Sequence, residues 1–291
     1  MSGVSVIIPT LNRAQKVVRA VVSVFEQTYD DFEIIVVDDG SDDGTIEKLE
    51  QFGNRIRCLV NSKTLGVSAA RNRAIKVSEA PLIAFLDSDD YWLPQKLKVQ
   101  TDFFRSNPEA VACQTDEVWI RKGRRVNPMK KHAKPSGNIF EASLKLCLVS
   151  PSAVMLKRSL LDRVGVFDEE FQVCEDYDLW LRISCLHPVW LIRDKFAVKT
   201  GGHADQLSSS INGMDRFRIK SMLKLLDLGC LNRTQVRAVE KELGKKCRIY
   251  GMGCLKRGKV EEGEYYLQLP EKRSAKTSLK GDSGRSNNYI R

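Results

Sequence analysis

Apolar positions along the chain fall into two alternating kinds of run. Short unbroken stretches rich in β-branched and aromatic residues, at 4–8, 33–37, 56–60, 82–86 and 110–114, have the length of strands buried on both faces. Between them, apolar residues recur at helical spacing. Ala14, Val17, Val18, Val21, Val22 and Phe25 form one stripe, with Asn12 as its expected cap. Ile46, Leu49 and Phe52 form a second, after a cap at Asp42 or Asp43. Ala70 and Ala74 let a third helix lie close on the sheet, and Leu97 and Phe104 mark a fourth that starts near Pro94. The resulting order β-α-β-α-β-α-β-α-β predicts an α/β fold with a mostly parallel sheet and flanking helices.

From Val118 the pattern changes. A hairpin is expected around Lys122-Gly123, a returning strand at 153–156, and a short helix at 159–165 with Gly165 as its C-cap. Leu179, Ile183 and Leu186 then give the buried face of a helix ended by Pro188, before a strand at 189–192. Residues 212–270 carry helical periodicity throughout, and 251–269 look like one tetratricopeptide-like hairpin. Residues 271–291 are polar, basic and poor in apolar groups, so disorder is expected there.

Candidate chemistry gathers where the strands end. The run 82–86 stops at Asp87-Ser88-Asp89-Asp90, and in an extended segment Asp87 and Asp89 would leave on one side. Two such carboxylates can share a hard divalent cation with a ligand's phosphate oxygens. Without a cation, three neighbouring acids repel each other. The run 33–37 ends likewise at Asp38-Asp39-Gly40-Ser41. After the first strand the chain reads Pro9-Thr10-Leu11-Asn12-Arg13 with no glycine, which argues against a dinucleotide-binding start and hydride transfer.

Asp87-Ser88-Asp89 resembles the DXD motif of the family-2 glycosyltransferases of GT-A fold. Residues 4–13 and 36–41 resemble the same family in the same order, and the likeness extends over about residues 4–203. It implies an inverting, metal-assisted transfer of a sugar from a nucleotide-sugar donor, a UDP-sugar being favoured, to a saccharide or lipid-linked acceptor in cell-envelope polysaccharide synthesis. By the same resemblance, Asp39 would accept a hydrogen bond from the base, and the donor would be held by Pro9, Thr10, Asn12, Arg13, Asp39, Arg71, Asp87 and Ser88. Arg71 would serve a phosphate or organise the acids. Mg2+ or Mn2+ would sit on Asp89 with help from Asp87. His203, in a glycine-flanked loop, would ligate the metal, contact a phosphate, or simply lie on the surface. Glu175 and Asp176 match the family's acidic pair, with Asp176 as general base; the bland reading of such acids is favourable placement at a helix N-terminus.

On this reading 1–211 is the catalytic domain, with 1–116 as its nucleotide-binding half and 117–211 as its acceptor half; 212–270 is a helical cap and 271–291 a tail. A sugar nucleotidyltransferase is the alternative enzyme, although residues 9–13 lack the glycine-rich loop that cradles a triphosphate. A non-catalytic nucleotide- or anion-binding protein is the other alternative.

Composition adds charge to this picture. The 291 residues carry a formal charge of +10, and seven Lys or Arg with no acid fall within 121–134. That run is either a solvated loop or a flap whose cations meet a lipid pyrophosphate or an anionic membrane surface. A nucleic-acid partner is not expected, because acids facing a pocket repel phosphodiester backbones. The eight cysteines are scattered, without zinc spacing, and read as reduced core residues. No apolar run approaches the about 20 residues of a membrane span. The expected location is cytoplasmic, either free or at the inner face of the plasma membrane.

Overall fold

The structure is a computed structural model that describes residues 2–202 and 213–280. The chain divides into two compact units, Met1–Asn212 and Gly213–Arg291.

In the first unit, β1 (Val4–Thr10), β2 (Phe32–Asp38), β3 (Arg57–Val60) and β4 (Leu82–Phe85) are mutually parallel and lie in the order β3-β2-β1-β4. The intervening helices are α1 (Ala14–Phe25), α2 (Thr45–Glu50) and α3 (Val67–Val77). The strands are continuously apolar because both faces are covered. Val6, Ile8, Ile34, Val36 and Ala84 pack with Val17 and Val21 of α1 in one core layer, while Ile7, Ile35, Val37, Ile83 and Phe85 pack with Ala70 and Ala74 of α3 in the other. Because β2 and β4 flank β1, the strand order reverses at β1, which opens a crevice at the strands' carboxyl ends.

Beyond β4 the expectation of a parallel sheet is corrected. β8 (Val154–Lys157) inserts antiparallel between β4 and β6 (Ala112–Arg121), so the fifth predicted strand does not pair with the fourth. β6 is also longer than foreseen, and it pairs in parallel with β9 (Trp190–Gly201), with register irregularities at Thr115–Glu117. Tyr91 and Trp92 form a short strand, β5, against β9, so α4 (Lys96–Ser106) starts later than Pro94 implied. The hairpin at Lys122-Gly123 is present: β7 (Arg124–Val126) pairs with β6, and both turn residues have positive φ. The remaining helices of this unit are α5 (Phe140–Lys145), α6 (Arg158–Val164), ended by Gly165, and α7 (Glu175–Ser184). Leu186 lies past the end of α7 and is exposed.

The second unit contains α8 (Asp215–Asp227), α9 (Arg233–Lys256) and α10 (Val260–Lys280). A capping box between Asn232 and Gln235 starts α9. The tail expected to be disordered from 271 is helical through Lys280. Glu, Lys, Arg and Ala are strong helix formers, and Arg273 pairs with Asp227 at 2.7 Å; residues 281–291 lie outside the described residues. None of the eight cysteines is in a disulfide, but Cys58 and Cys230 are exposed rather than in a core. Among the described residues no helix is long and apolar enough to cross a membrane.

Candidate active site

The crevice is built from loops that follow β1, β2 and β4. Asp38 closes the turn after β2 by accepting from the backbone N–H groups of Gly40 and Ser41 at 3.1 and 2.9 Å. Asn12, with φ +51°, straps the first two loops together: its backbone N–H donates to Ser41 Oγ, and its Oδ1 accepts from Asp42 N at 2.9 Å. It therefore does not cap α1. The first-turn N–H of Ala14 is taken instead by Asp43 Oδ2, 3.0 Å away and 29 residues on in sequence. Pro9 and Thr10 end β1, and Thr10 Oγ1 is buried with no hydrogen-bond partner among the described residues. A buried hydroxyl without a partner at the end of β1 is the kind of group that a ligand or a water can satisfy.

Asp39 is almost fully buried and turned toward the segment before α3. Its carboxylate accepts from Asn61 Nδ2 at 2.6 Å, Leu65 N at 3.0 Å and Gly66 N at 2.8 Å. Those three donors use most of its about four lone-pair positions and leave room for one more N–H.

The acids after β4 do not continue the strand. Residues 87–90 form a turn closed by Asp90 N donating to Asp87 O at 2.9 Å, so the expected same-side projection from an extended segment is replaced by separate partners. Asp89 pairs with Arg13 at 3.1 Å, and Asp87 with Arg71 at 2.7 Å. Asp90 is buried; it accepts from Ser152 Oγ at 2.6 Å and from Thr200 N at 2.8 Å. Burial pushes its carboxyl up to about 8; Asp89 and Asp87 add to this while Lys199 opposes it. Ser88 is buried within the turn.

Arg71, on α3, joins this turn to α7. Its two terminal nitrogens hold Asp87 at 2.7 Å and Glu175 at 2.8 Å, and its guanidinium lies 5.0 Å from the ring centroid of Phe167. Burial works against the charge, but Asp87 and Glu175 more than offset it. These contacts tie the acid turn to the start of α7. Its neighbour Asn72 serves the fold, since its side chain pairs with both backbone groups of Phe167.

Glu175 opens α7 after Cys174, whose φ is +64°. Burial and the neighbouring Asp176 push its carboxyl up to about 6 against the pull of Arg71. Asp176 is half-buried. Its Oδ1 accepts from Tyr177 N at 2.7 Å, and its Oδ2 lies 3.4 Å from the thiol of Cys147, which burial and Asp176 keep protonated.

The sequence reading missed the cations on the opposite wall. Glu117, in the middle of β6, is buried and paired with Lys134 at 3.1 Å. Burial would raise its carboxyl, but Lys134, Lys199 and Trp119 hold it at about 2. Lys199, on β9, is half-buried; desolvation works against its charge, but Glu117, Asp90, Asp87 and Asp176 more than offset this and hold its ammonium above the usual lysine range. The available signal was a charged residue inside an apolar strand pattern: Glu117 before Val118, and Lys199 after Phe196-Ala197-Val198.

His203 lies outside the described residues, and among those described no three His, Cys, Asp or Glu side chains converge as a cation site. The turn does offer Asp87 and Asp89, whose side chains are 26% and 13% exposed. Two accessible carboxylates fit Mg2+ or Mn2+, which take their other ligands from phosphates and water.

The sequence profile of Glycosyl transferase family 2 matches residues 5–165. The chain is 36% identical over 186 residues to the UDP-Glc:alpha-D-GlcNAc-diphosphoundecaprenol beta-1,3-glucosyltransferase WfaP of Escherichia coli, covering 63% of this chain and 70% of that protein. Among solved structures, S. aureus TarS 1-349 in complex with UDP-GlcNAc superposes with a TM-score of 0.65 at 18% identity, covering 98% of this chain and 93% of that one. The mannosyltransferase PcManGT from Pyrobaculum calidifontis, in complex with GDP-Man and Mn2+, gives 0.60 at 15% identity, covering 97% and 88%. The two structures share the GT-A fold with this chain. With the profile spanning more than half of the sequence and the acid turn at the carboxyl end of β4, the chain belongs to glycosyl transferase family 2.

Proposed function

We propose that this protein is an inverting glycosyltransferase that moves a sugar from a UDP-sugar onto a lipid-linked or other saccharide acceptor during cell-envelope glycan assembly. The observation that carries the reading is the Arg71 fork, which ties a donor-side acid, Asp87, to the acidic pair at the start of α7. The printed name of WfaP, with UDP-Glc as donor and a diphosphoundecaprenol-linked GlcNAc as acceptor, supports the substrate class.

In this reading Asp39 offers its remaining lone pair to a uracil N–H, and the open hydroxyl of Thr10 meets the nucleoside. Pro9, Asn12 and Ser88 shape the crevice around it. Asp176 removes the proton from the acceptor hydroxyl as its oxygen attacks the anomeric carbon. The bond from that carbon to the phosphate oxygen breaks on the opposite face, and the nucleoside diphosphate leaves with the electron pair. Glu175, held by Arg71, keeps the base in place. Mg2+ or Mn2+ would be held by Asp89 with Asp87 and, when bound, supplies positive charge for the departing diphosphate. Residues 1–116 hold the nucleotide and 117–211 hold the acceptor, while the helices after 212 form a separate unit. The enzyme works at the cytoplasmic face of a membrane.

Calorimetric titration of UDP, GDP, dTDP and CMP with and without Mn2+ tests the donor site. Metal-dependent binding of UDP that is lost in Asp89→Ala is expected, and absence of binding by every nucleotide overturns the reading. With an α-linked UDP-sugar the product linkage should be β by NMR, and Asp176→Asn should abolish transfer while leaving UDP binding intact.

A further inference from the structure

The acidic crevice has to admit an anion. The turn after β4 brings Asp87 and Asp89 to the crevice and the start of α7 brings Glu175 and Asp176, and the arginines beside them are already engaged: Arg13 with Asp89, and Arg71 with Asp87 and Glu175. Lys134, on the opposite wall, is paired with Glu117. Lys199 differs from these. It is in no ion pair among the described residues, although Glu117, Asp90, Asp87 and Asp176 act on it electrostatically.

Its position is firmly set. Lys199 pairs with Trp119 of β6, the preceding Val198 pairs with Tyr91 of β5, and the following Thr200 donates its backbone N–H to Asp90 at 2.8 Å. Alternation along the strand turns Lys199 away from the side of buried Val198. The same side chain acts electrostatically on Asp87 of the turn after β4, on Asp176 of α7 and on the Cys147 thiol beside Asp176. An ammonium on a flexible four-carbon stem, with three donors and no ion pair among the described residues, suits a tetrahedral anion.

We propose that Lys199 is a phosphate-binding residue of this site, donating from Nζ to a phosphoryl oxygen of a bound diphosphate. That diphosphate belongs either to the nucleotide donor or to a lipid-linked acceptor. The assignment rests on the glycosyl-transfer reading of the crevice, and the two fail in different ways.

The test compares the full-length wild type with Lys199→Gln and Lys199→Arg, using UDP and uridine as probes in Mg2+. Transfer is followed onto a GlcNAc-diphospholipid and onto a GlcNAc alkyl glycoside that lacks phosphate. If the donor's diphosphate is bound, Lys199→Gln weakens UDP about tenfold or more with uridine unchanged, and Lys199→Arg recovers most of the loss. If the acceptor's diphosphate is bound, UDP affinity is kept, while the KM for the diphospholipid alone rises by a similar factor. A folded Lys199→Gln variant with both quantities unchanged overturns the proposal. Should that variant not fold, the Lys199 ammonium signal of 15N-lysine-labelled wild type, assigned with Lys199→Arg, decides the matter. A shift on adding UDP or diphospholipid supports the proposal, and no shift at saturation with either overturns it. A wild type that binds no nucleotide and transfers no sugar removes the glycosyl-transfer reading itself, and the proposal with it.

Discussion

Arg71 has two carboxylates to hold, and a planar fork does this where a single ammonium does not. Arg71→Lys is expected to keep one contact and lose the other, letting α7 drift from the acid turn and lowering kcat/KM about 100-fold. Arg71→Ala should in addition cost about 3 kcal/mol in urea unfolding, because Glu175 would be left buried and unpaired. Glu175 gives the pair a pH signature. Its folded value near 6 lies above the ordinary 4.5, so the folded protein takes up a proton between about 6 and 4.5 that the unfolded chain does not. Protonation favours the fold in that window, yet it loosens Glu175 from Arg71. Transfer should therefore fall as pH drops below about 6, and Glu175→Gln, uniformly slow, should lack that limb in a kcat/KM profile.

A second residue titrates away from the site. Lys96 is fully buried, donates to Gln100 Oε1 at 2.7 Å and lies 3.8 Å from the ring centroid of Trp92; burial brings its ammonium down to about 7 from 10.5. The unfolded chain then holds the extra proton between about 7 and 10.5, so wild-type stability rises with pH across that window. Lys96→Met should be more stable than wild type near pH 7, with the Tm difference shrinking toward pH 10.

At the scale of elements, the β1–α1–β2–α2–β3–α3–β4 run was legible because its periodicities are local. The direction of β8 was not: an apolar run such as Val154-Met155-Leu156 reads the same whichever way it enters a sheet, and only its neighbours β4 and β6 decide. The cap of α1 was hidden for a similar reason, since Asp43 reaches Ala14 from the far side of β2. Asp87, Asp89 and the Glu175-Asp176 pair stood out as acids at element ends. Glu117 and Lys199 sit within strands, where a single charge is easily taken for the solvent side of an edge. In the second unit, α9 and α10 pack so closely that a Cβ on Gly251 would come within 2.8 Å of Gly263 O. Although alanine is the better helix former by about 1 kcal/mol, Gly251→Ala should destabilise this hairpin by about 1–3 kcal/mol, because backbone has to move; loss of helical ellipticity in urea would report it.

Across the whole molecule the charges are segregated. The crevice gathers acids, while Arg121, Lys122, Arg124, Arg125, Lys130 and Lys131 stand exposed along the β6–β7 hairpin and the segment after it, beside exposed Met129. Nothing in a charge run tells its partner, which is why the sequence left this stretch open. On the proposed membrane-facing role, neutralising Arg124, Arg125, Lys130 and Lys131 together should reduce sedimentation with anionic vesicles by about 4 kcal/mol at low salt and leave neutral vesicles unaffected.

The far end of β9 is fastened to the acid turn: Thr200 donates its N–H to Asp90 and its hydroxyl to Asp89 O, across 110 and 111 residues of sequence. On the ribosome, β1 to β4 and the acids emerge long before the strand that holds them. A nascent chain can thus assemble β1 to β4 before the strand that fastens the acid turn exists, and the turn is fastened only near the close of this unit's synthesis.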